Sequence, residues 1–122
     1  MVDGNFEYQF SETGQPRSLP PMVLQNTFFI CKEAINNIAK HSHASQVEGK
    51  LIWGKDDLTI EITDNGIGFD LNSIDPQGHY GLSIMQERVN QIHGNFQIQS
   101  EPGAGTKVTV WIPINAIEYS KL

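Results

Sequence analysis

Between residues 47 and 62 the chain alternates apolar and polar positions twice with a turn between, and that pattern excludes most folds. Val47, Gly49, Leu51 and Trp53 share one side of an extended segment, Leu58, Ile60 and Ile62 share one side of the next, and Gly54-Lys55-Asp56-Asp57 joins them. A period of two belongs to a strand with one buried face, so the stretch predicts an antiparallel hairpin lying on a core. A sheet of this kind needs a cover, and the flanking sequence supplies one.

From 21 to 41, Leu24, Phe28, Cys31, Ile35 and Ile38 recur at alternating spacings of four and three, which predicts an amphipathic helix with these residues as its apolar stripe. Pro20-Pro21 suits the opening of that helix. A second helix is expected from about 80 to 93, with Leu82, Met85, Val89 and Ile92 on one side and Gly94 as its stop. Residues 5–10 read as a strand, and 95–100 and 106–113 as two closing strands around Pro102-Gly103-Ala104-Gly105. The stretch from 64 to 80, rich in Gly, Asp and Asn, reads as a loop, and a loop that long inside a small domain usually carries function. The resulting order predicts one domain over residues 1–122. Its fold class is α/β, a two-layer α/β sandwich whose mixed, mostly antiparallel sheet carries helices on one face.

Composition narrows the partners. The net charge of -6 argues against nucleic acid, so any phosphate must be held locally, by backbone amides and a metal ion. The single cysteine, Cys31, permits no intrachain disulfide and reads as a small core residue. No apolar run is long enough to span a bilayer, and the expectation is a cytoplasmic domain without membrane contact. His41 and His43 stand two apart and no cysteine partners them, while His79 and His93 have no carboxylate neighbour, so no histidine metal site is expected.

Four clusters can carry chemistry. On the first helix Glu33, Asn37 and Lys40 fall together opposite the apolar stripe, and Phe29 and Ile30 on the same side imply that something covers it. An Asn amide oxygen suits Mg, and a carboxylate one turn away can orient or deprotonate a nucleophile; a merely solvated face is the alternative. Asp64-Asn65-Gly66-Ile67-Gly68-Phe69 follows a strand, and its glycines admit close approach to the backbone while Asp64 can accept from an exocyclic amine. A plain Asp-Asn-Gly turn is the other reading. Gly78-His79-Tyr80-Gly81-Leu82 opens a helix, where free amides and the dipole favour phosphate. Gly103-Ala104-Gly105-Thr106-Lys107 lacks the spacing and the helix of a Walker loop, and reads as a hairpin whose Thr106 hydroxyl can reach a ligand.

In this order the four clusters closely resemble the N box and glycine boxes of the GHKL ATP-binding superfamily, whose fold is the Bergerat type. Glu33 to His41 and the Gly-Leu-x-x-Met-x-Glu-Arg-Val run from Gly81 to Val89 look like the nitrate-sensor and membrane-fluidity-sensor type of sensor histidine kinase. The resemblance covers residues 5 to 114. It implies a protein-histidine kinase catalytic domain that uses ATP and Mg2+, with Asn37 as metal ligand and Asp64 on the adenine amino group. Gly66 and Gly68 would line the base pocket, Thr106 would lie beside it, and Lys40 or His41 would touch phosphate. Gly78, Gly81 and Leu82 would flank the lid. Glu33 matches the base of the hydrolytic branch, although a carboxylate on the partner domain competes for that role. The implied partners are ATP or ADP, a helical dimerisation and phosphoacceptor domain that this sequence lacks, and through it a response regulator. The short segment between Phe69 and Gly78 implies a small lid. Two other readings stay open: an ATPase or serine kinase of the same superfamily, and a nucleotide-sensing module without catalysis.

Overall fold

A computed structural model describes residues 7–38, 43–68 and 82–114. In chain order these form β1 (Glu7–Thr13), α1 (Pro21–Asn37), β2 (Gln46–Trp53), β3 (Asp57–Asp64), α2 (Leu82–Gln91), β4 (Asn95–Ser100) and β5 (Thr106–Pro113). The five strands make one sheet in the order β1-β2-β3-β5-β4. β1 pairs parallel with β2 and every other pairing is antiparallel, as expected of a mixed sheet. β1 runs to Thr13, three residues past the expected end, because its register with β2 continues from Glu7↔Gln46 to Thr13↔Ile52.

One face of the sheet is buried. Val47, Leu58, Ile60, Ile62, Val108, Val110 and Ile112 point into a core completed by Val23, Ile30 and Ala34 of α1 and by Met85 and Val89 of α2. The other face carries Glu48, Lys50, Glu61 and Lys107, with a long Lys107–Glu61 ion pair of 3.9 Å across β5 and β3. At these exposures such a pair contributes little. The two-layer arrangement with helices on one side is the one the alternation predicts.

The apolar stripe of α1 is corrected. Leu24 and Phe28 are 56% and 67% exposed, whereas Ile38 is buried and Cys31 packs beside the core as expected; the rest of the buried face runs through Val23, Asn26, Thr27, Ile30 and Ala34. The physical reason lies in the neighbours: small and β-branched residues allow the helix to sit close on the sheet, whereas Phe28 is too large for that approach. Cys31 flanks the buried face, half-covered, and burial pushes its thiol up to about 11. It packs beside the core, as expected. On the opposite flank the Arg88 guanidinium of α2 lies 4.4 Å from the centre of the Phe29 ring and ties the two helices together.

The end of α2 also differs in detail from its expected stop. His93 takes the left-handed conformation (φ 58), and the Gly94 amide bonds to the Val89 carbonyl at 3.0 Å. Gly94 is required for closeness, since a Cβ there would lie 2.5 Å from the Trp111 carbonyl oxygen. The β2–β3 turn is closed by Gly54 N–H to Asp57 O at 2.9 Å, and the Arg17 guanidinium donates to the Gly54 and Lys55 carbonyls. No helix among the described residues is long and apolar enough to cross a membrane.

Candidate functional site

The site forms where β3 and β5 end together. Asp64 is the last residue of β3 and pairs with Thr106, the first of β5, and with Val47 across β2. Alternation places its side chain on the helix-facing side, where it is only 5% exposed. The Gly66 amide donates to Oδ1 at 2.8 Å, and the nearby Thr106 amide also favours the charged carboxylate. Oδ2 is buried and has no partner among the described residues. Burial raises the Asp64 pKa above its ordinary value, and the two amides pull it partly back. A buried acceptor without a donor is costly, so this carboxylate is a position that a ligand's N–H can satisfy.

The glycines around Asp64 are present because backbone passes where a side chain would stand. Gly68 (φ 64) holds a position where a Cβ would meet the Glu101 carbonyl oxygen at 2.1 Å, and at Gly105 (φ 75) it would meet the Asp64 carbonyl oxygen at 2.2 Å. The Gly103 amide donates to the Ile67 carbonyl, which fastens the Asp-Asn-Gly turn to the β4–β5 hairpin. The Thr106 hydroxyl lies 2.8 Å from Ser100 Oγ, and Ser100 Oγ in turn donates to the Gly105 carbonyl at 3.0 Å. An open depression at this end is lined by Asp64, Ile98, Ser100, Ala104, Gly105 and Thr106.

Four of the expected residues are thus brought together: Asp64, Gly66, Gly68 and Thr106. Glu33 and Asn37 are half-buried on the flank of α1 that carries Phe29, and Asn37 is the last residue of that helix. Leu82 opens α2. Lys40, His41, Gly78 and Gly81 lie outside the described residues. Sequence reasoning missed Ser100, whose partners Gly105 and Thr106 stand just across the β4–β5 turn, and the side chain of Asn65, whose partners Ser45 and Gln46 are distant in sequence. Only the place of Asn65 beside Asp64 marked it.

Residues 25–116 match the family described as histidine kinase-, DNA gyrase B-, and HSP90-like ATPase, HATPase_c. The chain belongs to the HATPase_c family. This HATPase_c domain is 37% identical over 109 residues to the signal transduction histidine-protein kinase/phosphatase DegS of Brevibacillus brevis, covering 89% of the chain and 28% of that protein. It is likewise 37% identical over 106 residues to the sensor protein VraS of Staphylococcus epidermidis, covering 87% of the chain and 30% of that protein. The domain therefore spans under a third of the relatives it matches. Its fold superposes on the histidine kinase domain of a blue-light-activated histidine kinase from Erythrobacter litoralis, with a TM-score of 0.74 at 18% identity, over 92% of the domain and 53% of that chain. The Acinetobacter baumannii histidine kinase AdeS gives 0.73 at 16%, over 91% and 55%. At those identities the likeness speaks to the HATPase_c fold, which is the expected sandwich.

Proposed function

We propose that this domain binds Mg-ATP and presents the γ-phosphoryl group to an acceptor histidine on a separate helical dimerisation domain, for later passage to a response regulator. The observation that carries the proposal is the buried, unpartnered Oδ2 of Asp64 inside a wall of glycine backbone. In this reading Oδ2 accepts the adenine amino group and the Gly66–Gly68 turn lies along the base. The rim of Ser100 and Thr106 hydroxyls closes the far side.

The phosphate end falls to α1 and to the start of α2. Asn37 offers its side-chain oxygen to the metal, Lys40 or His41 meets phosphate, and Gly78, Gly81 and Leu82 bring amides to the helix N-terminus. Mg takes one or two protein oxygens and completes its shell with water and phosphate, so a single Asn suffices and no acidic cluster is needed. When bound, the metal neutralises charge developing on the triphosphate. In this reading Glu33, one turn before Asn37, orients the nucleophile, with a carboxylate of the partner domain as the competing base. The remainder of the rate enhancement comes from positioning. The Gly81 to Val89 run supports the nitrate-sensor or membrane-fluidity-sensor type, and the setting of such a domain is the cytoplasm.

The test is a calorimetric titration of ATP or ADP, with and without Mg, into the wild type and Asp64→Asn, with GTP as control. Mg-dependent binding of adenine nucleotides, weakened in the variant and absent for GTP, is expected. Absence of binding at millimolar nucleotide would remove the proposal.

A further inference from the structure

We infer that Asn65 is a positioning residue, fixing the start of β2 against the turn that carries Asp64 and thereby setting the span between the two ends of a bound adenine nucleotide. The inference rests on the nucleotide reading above. Asn65 Oδ1 accepts from the amides of Ser45 and Gln46, both at 2.9 Å, and its Nδ2 donates to Ser45 Oγ at 2.9 Å. Its own amide donates to the Gln46 carbonyl at 3.2 Å. All four bonds go to the same two residues.

Asn65 and Ser45 are exposed, so burial does not compel these bonds; water would satisfy the same atoms. Their location gives the reason. The β2–β3 ladder ends at Val47↔Asp64, and Asn65 stands one residue beyond it. Ser45 precedes β2 and Gln46 is its first residue, shortly after His43, which is held at φ 52. A side-chain staple therefore continues the grip of the sheet past its last pair, between the turn that holds Asp64 and the segment that follows the phosphate-facing end of α1. A nucleotide must adopt one of its many conformers to reach both sites, and the conformer that holds both ends well is kept only when those two pieces of chain keep their separation. Misplacement on the order of 1 Å can cost large factors in such an arrangement.

The test titrates adenosine and Mg-ATP separately, by NMR, into the wild type, Asn65→Ala and Asn65→Asp, alongside thermal melts. Asn65→Asp keeps an acceptor for both amides and can accept from Ser45 Oγ, so it serves as the conservative rescue. The expected result is that Asn65→Ala binds adenosine within about twofold of wild type, loses about tenfold or more for Mg-ATP, and regains it in Asn65→Asp. Equal loss of both ligands, or a lower melting temperature with both affinities unchanged, would overturn the clamp alone. A wild type that binds neither ligand would overturn the nucleotide reading and this inference with it.

Discussion

The Gly66 amide donates a 2.8 Å hydrogen bond to one carboxylate oxygen of Asp64, while the other oxygen stays buried without a partner among the described residues. One oxygen is thus occupied in holding the turn, and the other is the one the proposed function gives to the adenine amino group. Asp64→Asn keeps the first role and spoils the second, because an amide can present its oxygen to only one of the two positions. Nucleotide affinity should fall about 10–100-fold, the worth of one charge-assisted hydrogen bond, as read by calorimetry.

The same substitution should not destabilise the fold. Burial raises the Asp64 pKa, so the folded state holds this proton more tightly than the unfolded chain does. The contribution to stability is full below the ordinary carboxyl pKa and is lost as pH rises through the raised value. At pH 7 the charge is a burden that Asn lacks. Thermal melts should show Asp64→Asn unfolding no lower than wild type at pH 7, with the variant's relative advantage shrinking as pH falls.

Binding should depend on pH in the opposite direction. A protonated carboxyl is a weaker acceptor for an amine than a carboxylate, so wild-type affinity for ADP should fall as pH drops through the raised Asp64 pKa. The Asp64→Asn background removes this group while leaving the titration of the nucleotide itself. Parallel pH profiles for the two proteins would sink the assignment.

Two glycines separate crowding from backbone strain. Gly103 (φ 82) has nothing within 4 Å of a built Cβ, whereas Gly68 (φ 64) has the Glu101 carbonyl oxygen at 2.1 Å. Gly103→Ala should cost about 1–2 kcal/mol from the left-handed conformation alone. Gly68→Ala should cost more and disturb nucleotide binding as well. Urea unfolding of both variants gives the comparison.

The first helix invites a similar pair. Phe28→Ser should change stability by roughly 0.5 kcal/mol or less, because the ring is exposed, while Ile30→Ala should cost about 2–5 kcal/mol. Denaturant melts decide, and a large loss from Phe28→Ser would restore the stripe read from the spacing.

What the sequence disclosed follows from what is local. The β2–β3 hairpin was legible because Val47, Leu58, Ile60 and Ile62 repeat at the strand period around a turn, and the gathering of Asp64, Gly66, Gly68 and Thr106 because the motifs are short and ordered. The buried side of α1 was legible only in part, at Cys31 and Ile38. Two stripes, Leu24–Phe28–Cys31 and Val23–Thr27–Ile30–Ala34, run side by side, and the sheet below selects the slimmer one. Parallel pairing of β1 with β2 depends on a crossover that no local pattern encodes, and the partners of Asn65 are set by where β2 begins. Lys40, His41, Gly78 and Gly81 lie outside the described residues, and their proposed roles rest on motif order alone.

The pairing of Asp64 with Thr106 has a consequence for how the domain comes into being. β2–β3 and β4–β5 are hairpins whose contacts close over short stretches, whereas the β3–β5 seam joins opposite halves of the chain. Local contacts lose less chain entropy and form sooner, so the seam is expected to zip after the hairpins. The acceptor of Asp64 and the amide of Thr106 meet only when that seam zips. The pocket is therefore absent from either half and arises at their union, so a folding intermediate holding both hairpins undocked would carry every strand of the site and have no affinity for its ligand.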